Sequence, residues 1–393
     1  MSSRDRSCKG IALVGCGYVA DFYASTLKNH PELEVVAVND RDPERAARFA
    51  SYHGLPLAGS LAEILADPRV GILVNLTNPA SHFEVSKAAI EAGKHVYTEK
   101  PLAMTFAQAE ALVELAERRR LELAAAPCGV LGEAAQTLWE ALRRREIGRV
   151  RLVYAELDDG PIHLTNYRGW RSDSGAPWPW KDELEVGCTL EHAGYYVTWL
   201  TAFFGPARSV TSFASTLVSD KKTDVPLDRT SPDFSVACIE FRSGVVARLT
   251  CSIFAPSDRA LRIIGDEGVL SIEDCWDYGS PVTLARRTPL RLRAEKHPRA
   301  ARLLGLGPRA YPLVRKPRFQ SRARGSNPMD FARGIAELSD SIAAGRACRL
   351  SPRYALHVNE IVLAMGSPDI MGSPRRMVST FEPMEPMSWA ERS

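Results

Sequence analysis

The sequence predicts an α/β fold in two parts: a parallel sheet covered by helices on both faces, then a larger, mostly antiparallel open sheet with few helices. Two observations support this. From residue 10 to about 126, apolar runs alternate with helical patterns, which is typical of βαβ units and a parallel sheet. Beyond residue 150 the apolar runs become longer and alternate with polar residues, which is typical of antiparallel strands.

Eleven segments are strand candidates. They are 10–14, 34–39, 70–76, 94–98 and 121–126 in the first part, then 150–157, 210–217, 234–241, 245–253, 261–264 and 269–272 in the second. Ser243 and Gly244 predict a hairpin turn between two of the later strands. We therefore expect one domain over residues 1–126 and a second over residues 127–393.

A glycine-rich turn follows the first strand. Gly15 and Gly17 lie in the run GCGYVA, where Tyr18 and Val19 begin a helical pattern. In this setting the first glycine permits a tight turn, the second lets the backbone approach a pyrophosphate, and the helix N-terminus faces the phosphates. Asp40 ends the next strand about 20 residues on, where a carboxylate binds a ribose 2′-hydroxyl. Together these features predict a Rossmann domain that binds a dinucleotide.

The residues at this strand end also bear on the choice of cofactor. The Asp40 carboxylate would repel a 2′-phosphate, so NAD is the predicted cofactor. Arg41 keeps NADP open as the alternative, because a guanidinium pairs well with a phosphate. Arg41 could equally be a solvated charge.

Composition indicates a globular protein. A chain of 393 residues with 45% hydrophobic content can bury a large core, and no apolar run reaches the length that spans a bilayer. The first ten residues are polar and charged, so we expect no signal segment and a cytoplasmic location. The eight cysteines are scattered, and we expect neither a metal site nor a disulfide framework.

Residues 286–324 form a basic segment. They hold 13 Lys or Arg and one acid, whereas the rest of the chain has 37 basic and 46 acidic residues. A phosphate-bearing substrate, an acidic partner or anionic lipid would suit such a segment, and so would a solvated loop that binds nothing. No nucleic-acid-binding module surrounds it, so we expect no nucleic-acid partner.

Three residues suggest redox chemistry. Lys100 follows the fourth strand in the run VYTEKP, and ligands bind at the carboxyl ends of strands in open α/β sheets. Glu191 and Tyr195 stand four apart in a helical pattern, hence on one helix face. A tyrosine beside a lysine suits proton transfer during hydride transfer from an alcohol, because the ammonium lowers the phenol pKa. Spacing alone does not decide whether His192 is the base instead, or whether Tyr195 only packs in the core.

With these motifs the chain resembles the Gfo/Idh/MocA family, named after glucose–fructose oxidoreductase, inositol dehydrogenase and rhizopine catabolism. The resemblance extends over residues 9–365. It is carried by the runs 15–20, 38–41, 77–79 with His82, 92–94 and 99–102, and by IIGDEGVLSI at 263–272. It implies a Rossmann domain followed by an open-sheet α/β domain, a nicotinamide between the two, and a homo-oligomer paired through the open sheet.

The resemblance also implies roles for individual residues. Lys100 is implied to touch substrate and cofactor as a catalytic residue. Glu191 and Tyr195 align with an aspartate and a histidine of the family, and tyrosine replaces that histidine in some members acting on sugars or dihydrodiols. Asn78, His82 and Glu99 fall where family members approach the nicotinamide side of the cofactor. Thr77 and Lys100 are further residues expected to bind the cofactor.

A tryptophan-rich loop lies at residues 166–181. Trp170 and Arg171 resemble the family's Trp-Arg pair near the cleft. Aromatic faces stack on sugar C–H faces and arginine binds hydroxyls, acids or phosphates. We therefore expect this loop to line the substrate cleft, the alternative being a lid that only packs over the domain junction. The expected substrate-binding residues are Trp170, Arg171, Trp178, Trp180 and His192.

The leading hypothesis is an NAD-dependent oxidoreductase. It would transfer a hydride between nicotinamide and a ring hydroxyl or ketone of a sugar, nucleotide sugar or cyclitol, with Tyr195 and Lys100 passing the proton and Glu191 orienting them. The basic segment favours a phosphorylated or nucleotide-linked substrate. The alternatives are a redox-neutral, NAD-using lyase or glycosidase of the same fold, and a non-catalytic NAD-binding sensor or scaffold.

Overall fold

Two β-sheets organise the chain in the computed structural model, which describes residues 9–294, 299, 306–318 and 328–391. The strands of the first sheet are β1 (Gly10–Val14), β2 (Glu34–Asn39), β3 (Ile72–Asn75), β4 (His95–Thr98) and β5 (Leu123–Ala125). The strands of the second sheet are β6 (Val150–Asp158), β7 (Ala207–Ser215), β8 (Phe234–Phe241), β9 (Val246–Ser252), β10 (Leu261–Gly265), β11 (Gly268–Ile272), β12 (Val282–Arg286), β13 (Arg309–Tyr311) and β14 (Arg375–Arg376).

Helices fall between and after these strands. Those of the first part are α1 (Tyr18–Leu27), α2 (Pro43–His53), α3 (Leu61–Ala66), α4 (His82–Glu91) and α5 (Phe106–Arg119). Those that follow are α6 (Glu133–Arg143), α7 (Trp180–Val186), α8 (Cys188–His192), α9 (Gly194–Phe204), α10 (Pro289–Ala294), α11 (Arg333–Ala344), α12 (Pro352–Gly366) and α13 (Pro368–Met371).

The two sheets confirm the predicted fold class. The first is parallel, in the order β2-β1-β3-β4-β5, and the second runs β13-β12-β11-β10-β6-β9-β8-β7-β14. The second is antiparallel apart from the β6–β9 pair among its described pairings. Each predicted strand is present, with ends shifted by at most three residues. The short strands β12, β13 and β14 were not predicted, and they lie toward the two edges of the large sheet.

Burial on both faces explains the uninterrupted apolar strands of the first sheet. Every residue of β1 and β3 is buried, as expected for a parallel sheet covered by helices. Local signals set the helix ends. Asp42 caps α2 by accepting hydrogen bonds from the backbone N–H groups of the first turn, and Gly54 ends this helix with a left-handed φ of 66°.

Strand order positions the site. β1 lies between β2 and β3, so the loops after β1 and β3 leave toward opposite faces of the sheet and open a crevice at its carboxyl edge. Gly15 follows β1, and its backbone N–H donates to Asn39 O across 2.8 Å. Thr77 and Glu99 come shortly after β3 and β4. The predicted cofactor residues therefore meet along one edge.

The C-terminal helices cover part of the first sheet. Ala355 and Leu356 of α12 belong to the apolar core formed with β3, β4 and α5. At the start of α11, Gly334 lies directly against the Tyr97 ring, where a side chain would not fit. Residues far along the chain thus complete the core of the N-terminal sheet.

A buried carboxylate joins three distant segments. Glu133, at the start of α6, is fully buried. It accepts hydrogen bonds from Arg333 Nη1 of α11 at 2.9 Å and from Arg315 Nε at 3.0 Å. The Arg315 guanidinium in turn lies 3.6 Å from the centre of the Trp389 ring. This network ties α6, α11 and the C-terminal residues together.

Glu133→Ala should therefore destabilise the fold strongly. Arg333 would stay buried without its closest carboxylate, and breaking a buried pair in this way costs about 3–5 kcal/mol. The matched control is Glu117→Ala, which breaks the exposed Arg353–Glu117 pair and should cost about 1 kcal/mol or less. Chemical denaturation of both variants measures the difference, and equal losses would contradict the role of Glu133.

Candidate active site

A cavity of about 940 Å³ lies where the carboxyl edge of the first sheet faces the second part of the chain. Most residues predicted from the sequence lie in its wall. They are Gly15, Gly17, Tyr18, Val19, Asp40, Arg41, Thr77, Asn78, His82, Glu99, Lys100, Trp170, Trp178, Glu191, His192 and Tyr195. Arg171 and Trp180 do not line the cavity.

The glycine turn forms a cradle that fits a dinucleotide. Gly15 has a φ of 100°, which favours glycine, and a side chain there would collide with Leu76 O. The space beside Gly17 is open, and this residue precedes α1. Backbone N–H groups at the start of α1 can therefore approach a pyrophosphate without obstruction.

Asp40 is fixed at one end of this cradle. Its carboxylate accepts hydrogen bonds from Cys16 N at 2.8 Å and from Asp42 N at 2.9 Å. The side chain is only 6% exposed, and Arg45 Nη1 lies 3.7 Å away. Arg41 beside it is exposed. Each Asp40 oxygen retains a lone pair for a ribose hydroxyl, while the two arginines place positive charge nearby.

The side chains that follow β3 and β4 are held in place by contacts with backbone atoms and with buried side chains. The Glu99 carboxylate accepts hydrogen bonds from Tyr23 Oη at 2.6 Å and from Lys100 N at 3.0 Å. Both His82 ring nitrogens contact backbone carbonyls, Pro101 O at 2.7 Å and Thr77 O at 3.0 Å. Burial lowers the His82 pKa, more than these carbonyls raise it. This histidine therefore braces the cavity wall as a neutral ring.

Asn78 and Asp182 of α7 line the same cavity. Burial raises the pKa of Asp182, and the nearby Asn78 side chain opposes this shift. The loop after β3 therefore faces α7 across the cavity.

Lys100 and Glu191 form an ion pair. Their side chains are 18% and 4% exposed. Burial disfavours the ammonium, but the charge of Glu191, supported by Glu183, outweighs it and raises the Lys100 pKa. Lys100 therefore stays cationic at neutral pH and acts as a hydrogen-bond donor rather than as a free base.

Tyr195 and His192 differ from expectation in their ionisation. Burial raises the Tyr195 pKa, although the Lys100 charge lowers it, so the net shift is opposite to the sequence prediction. Burial, followed by the charge of Lys100, lowers the His192 pKa to about 3. The phenol is thus protonated and the imidazole neutral at physiological pH.

Glu183 lies in the same cluster and was not predicted. It belongs to α7, lines the cavity and hydrogen-bonds Glu191. Burial and the Glu191 charge raise its pKa well above the ordinary value. In the sequence it stands in a loop-helix region without a recognised motif, and only the packing of α7 against α8 brings the two carboxyl groups together.

Residues 165–179 cross the cavity, and we call them the strap. Trp170 and Trp178 line the cavity with ring centres 5.0 Å apart. Arg171 points outward, because its guanidinium donates to the backbone carbonyls of Arg168 and Trp170. Trp180 packs on Tyr167 instead, 6.0 Å between ring centres. The structure therefore does not bring Arg171 and Trp180 to the predicted substrate site.

The strap is anchored on the first part of the chain. Ser174 Oγ donates to Asp21 Oδ2 at 2.8 Å, and Ser174 N donates to Asp21 Oδ1 at 3.3 Å. His53 Nε2 lies 2.6 Å from the same carboxylate. Burial opposes the Asp21 charge, but hydrogen bonds from His53, Ser172 and Ser174 outweigh it and lower the pKa. At the other end, Tyr167 Oη donates to Lys221 O at 3.2 Å.

The far wall of the cavity adds groups that the sequence analysis did not name. Trp276 lies 5.3 Å from Tyr195 between ring centres. Behind it, Arg259 lies 4.6 Å from the Trp276 ring centre and bonds Asp159 Oδ1 at 3.2 Å. Burial raises the pKa of Asp159 to about 6, against the Arg259 charge. An aromatic face beside polar groups suits a polyol ring.

The described part of the basic segment lies elsewhere. None of residues 286–294, 299 and 306–318 lines the cavity. Arg286 pairs with Glu146, and Arg315 pairs with Glu133. Positions 295–298, 300–305 and 319–324 lie outside the described residues. The described basic residues therefore give no support to an anionic substrate.

Among the residues that the structure describes, no group of three or more His, Cys, Asp or Glu side chains is arranged to hold a metal ion. No helix within the described ranges has the length and apolarity needed to cross a membrane.

Comparison with known proteins shows the family of this chain. Residues 9–126 match the model of an oxidoreductase family with an NAD-binding Rossmann fold, and residues 135–271 match the GFO/IDH/MocA C-terminal domain. The chain belongs to the Gfo/Idh/MocA family. It is therefore an NAD(P)-binding oxidoreductase, as the resemblance in the sequence implied.

The individual proteins that this chain resembles have low sequence identity to it. The trans-1,2-dihydrobenzene-1,2-diol dehydrogenase of Mus musculus is 26% identical over 267 residues, 67% of this chain and 74% of that protein. The aldose-aldose oxidoreductase from Caulobacter crescentus, complexed with glycerol, superposes with a TM-score of 0.72 at 19% identity, covering 94% of this chain and 99% of that one.

A nucleotide-sugar enzyme has a similar fold. The WlbA dehydrogenase from Bordetella pertussis, in complex with NADH and UDP-GlcNAcA, gives a TM-score of 0.68 at 17% identity and covers 94% of this Gfo/Idh/MocA protein and 97% of its own chain. At these identities the structural likeness shows the fold alone.

Asp40→Ser should change the cofactor preference. The ribose hydroxyls lose a charged acceptor, while Arg41 and Arg45 remain for a 2′-phosphate, so we expect NAD affinity to fall roughly tenfold, about 1.4 kcal/mol, and NADP affinity to rise. Fluorescence titration gives both Kd values. Glu44→Ser, in a side chain 87% exposed, is the control. An unchanged ratio of NAD to NADP affinity would contradict the role of Asp40.

Proposed function

We propose that the protein is an NAD-dependent oxidoreductase acting on a ring hydroxyl, or the corresponding ketone, of a sugar or cyclitol. The observation that carries the proposal is the Lys100–Glu191 ion pair at the nicotinamide end of the cavity, with Tyr195 in the same wall. The cationic lysine and the protonated phenol are two donors suited to one developing alkoxide oxygen.

The residues divide into cofactor and substrate roles. The Gly15 turn and Asp40 hold the pyrophosphate and the ribose, while Glu99 and Asn78 border the nicotinamide. When bound, the nicotinamide supplies the hydride acceptor or donor. Lys100 and Tyr195 orient the reacting oxygen and pass its proton, and Glu191 keeps Lys100 charged and in place.

The cavity favours a substrate without phosphate groups. Near the reacting end its wall carries Glu191, Asp159 and Asp182, whereas Lys100 is already paired. A phosphate or carboxylate close to these acids would be repelled. The tryptophans Trp170, Trp178 and Trp276 offer faces for an uncharged ring instead.

One observation favours the redox-neutral alternative. Hydrogen bonds between Ser174 and Asp21 fasten the strap across the cavity, and such a cover slows the exchange of a bound dinucleotide. A retained cofactor suits a cycle in which the substrate is oxidised and then reduced again. Conversion of a glycoside or polyol without net NADH release would favour this reaction.

Lys100→Ala should abolish turnover. The reacting oxygen loses a donor, and Glu191 loses its ion-pair partner, so we expect a loss of at least 10²-fold in kcat/KM with NAD binding retained. Absorbance of reduced nicotinamide, with a panel of sugars, sugar acids, cyclitols and nucleotide sugars, is the measurement. Lys181→Ala, an exposed lysine paired with Asp228, serves as control. Full activity of Lys100→Ala would refute the proposal.

Tyr195→Phe separates the phenol from the packing of its ring. The ring contact with Trp276 should persist, so we expect kcat to fall by roughly 10²-fold while KM and thermal stability change little. Steady-state kinetics with the best substrate of the panel makes the test. An unaltered kcat would assign Tyr195 to packing and return His192 to consideration.

A further inference from the structure

Glu183 extends the catalytic ion pair by one further carboxyl group. It stands on α7 and lines the same cavity as Lys100 and Glu191. Glu191 binds the Lys100 ammonium on one side and the Glu183 carboxyl group on the other. The three side chains therefore form a continuous hydrogen-bonded row that begins at the reacting end of the cavity.

We propose that Glu183 is the outer store of a proton relay, in which the proton exchanged with the reacting oxygen passes between Lys100, Glu191 and Glu183. The inference rests on the proposed oxidoreductase function and deepens it. Glu183 acts through Glu191 and does not itself touch the substrate.

Electrostatics require a proton in this row. Two carboxyl groups within hydrogen-bonding distance cannot both be ionised at neutral pH without strong repulsion, so they share one proton. Glu191 is already paired with the Lys100 ammonium, which leaves the proton on Glu183, in accord with the raised pKa of that group. Glu183 is only partly buried, and it can therefore exchange its proton with water.

Other charged and titratable groups surround this row. The charged and titratable groups near Lys100, Glu191 or Glu183 are Glu99 after β4, Asp159 after β6, Asp182 on α7, and His82, Tyr195 and His192. Arg259, which pairs with Asp159, is a further cation nearby, whereas His82 and His192 are held neutral. The surrounding acids keep the shared proton bound.

In ketone reduction, the relay supplies the one proton that the reaction needs. The carbonyl carbon gains the hydride, and the carbonyl oxygen gains a proton through Tyr195 and Lys100. These transfers occur together: as Lys100 gives a proton toward Tyr195, it takes one from Glu191, which receives the Glu183 proton in the same step. Lys100 is therefore cationic before and after the step, and the carboxyl pair goes from one proton to none. A proton from bulk solvent then returns to Glu183, which relieves the repulsion between the two carboxylates. Alcohol oxidation runs through the same steps in reverse.

The test is Glu183→Gln, which keeps the size and hydrogen bonding of the side chain but has no acidic proton. The pH dependence of kcat/KM is measured for reduction of the ketone made by the best substrate of the panel. In the wild type, reduction should fall as pH rises through the Glu183 pKa, because the store empties. In Glu183→Gln the rate should be at least tenfold lower, and this alkaline limb should be gone.

Matched variants distinguish a proton store from a structural role. Glu185→Gln removes an acid on the same helix that binds Asp228 N at 2.7 Å, away from the cavity, and should keep the wild-type profile. Glu183→Asp should restore the alkaline limb in part. NAD affinity and thermal stability of each variant show whether the fold is intact. An alkaline limb unchanged in Glu183→Gln would overturn the relay.

A second readout does not depend on turnover. Infrared titration of the purified protein should show a protonated carboxyl band at neutral pH that is lost in Glu183→Gln and kept in Glu185→Gln. Absence of that band in the wild type would overturn the relay even if the protein oxidises sugars. If the band is present but no compound of the panel is turned over, the proposed function fails and the relay fails with it. The shared proton would then have only a structural role.

Discussion

The ion pair between Lys100 and Glu191 is the contact on which the cleft depends. It joins the end of a Rossmann strand to a helix of the second part of the chain, and both side chains are mostly buried. Burying two charges is costly, and it is compensated only by close pairing and further hydrogen bonds. Here Glu183 supplies such a bond to Glu191. The pair therefore fixes both the distance across the cleft and the protonation of the groups within it.

The cofactor side could be predicted from the sequence because its signals are local. A glycine after a buried strand, an acid at the end of the next strand and a lysine after the fourth occupy the same edge in any parallel sheet with this strand order. Gly15, Asp40 and Lys100 therefore lie in the cavity wall as expected. The four-residue helical spacing likewise predicted that Glu191 and Tyr195 lie on one side. Both line the cavity, although the helices that carry them, α8 and α9, are separated at Ala193.

The substrate side could not be predicted to the same depth, because long-range packing forms it. Trp276 and Asp159 are far from Tyr195 in the chain, and no motif marks them. In the irregular strap, local hydrogen bonds to carbonyls turn Arg171 away from the cavity, which composition cannot reveal. The ionisation of Tyr195 also differed from expectation, since the cost of burying a phenolate exceeded the help from one nearby charge.

The protonation of the cavity groups bears on the direction of the proposed reaction. The Lys100, Tyr195 and Glu183 pKa values are all raised. Burial raises those of Tyr195 and Glu183, whereas for Lys100 burial lowers the pKa and the charge of Glu191 outweighs it. At neutral pH the cavity therefore holds a proton on each of these three groups before a substrate arrives. Under the proposed function, reduction of a ketone would consume a proton at this place, whereas oxidation of an alcohol would first have to free an acceptor. A histidine in the position of Tyr195 would titrate near neutrality, so the tyrosine, with Glu183 behind it, favours donation over a wider pH range.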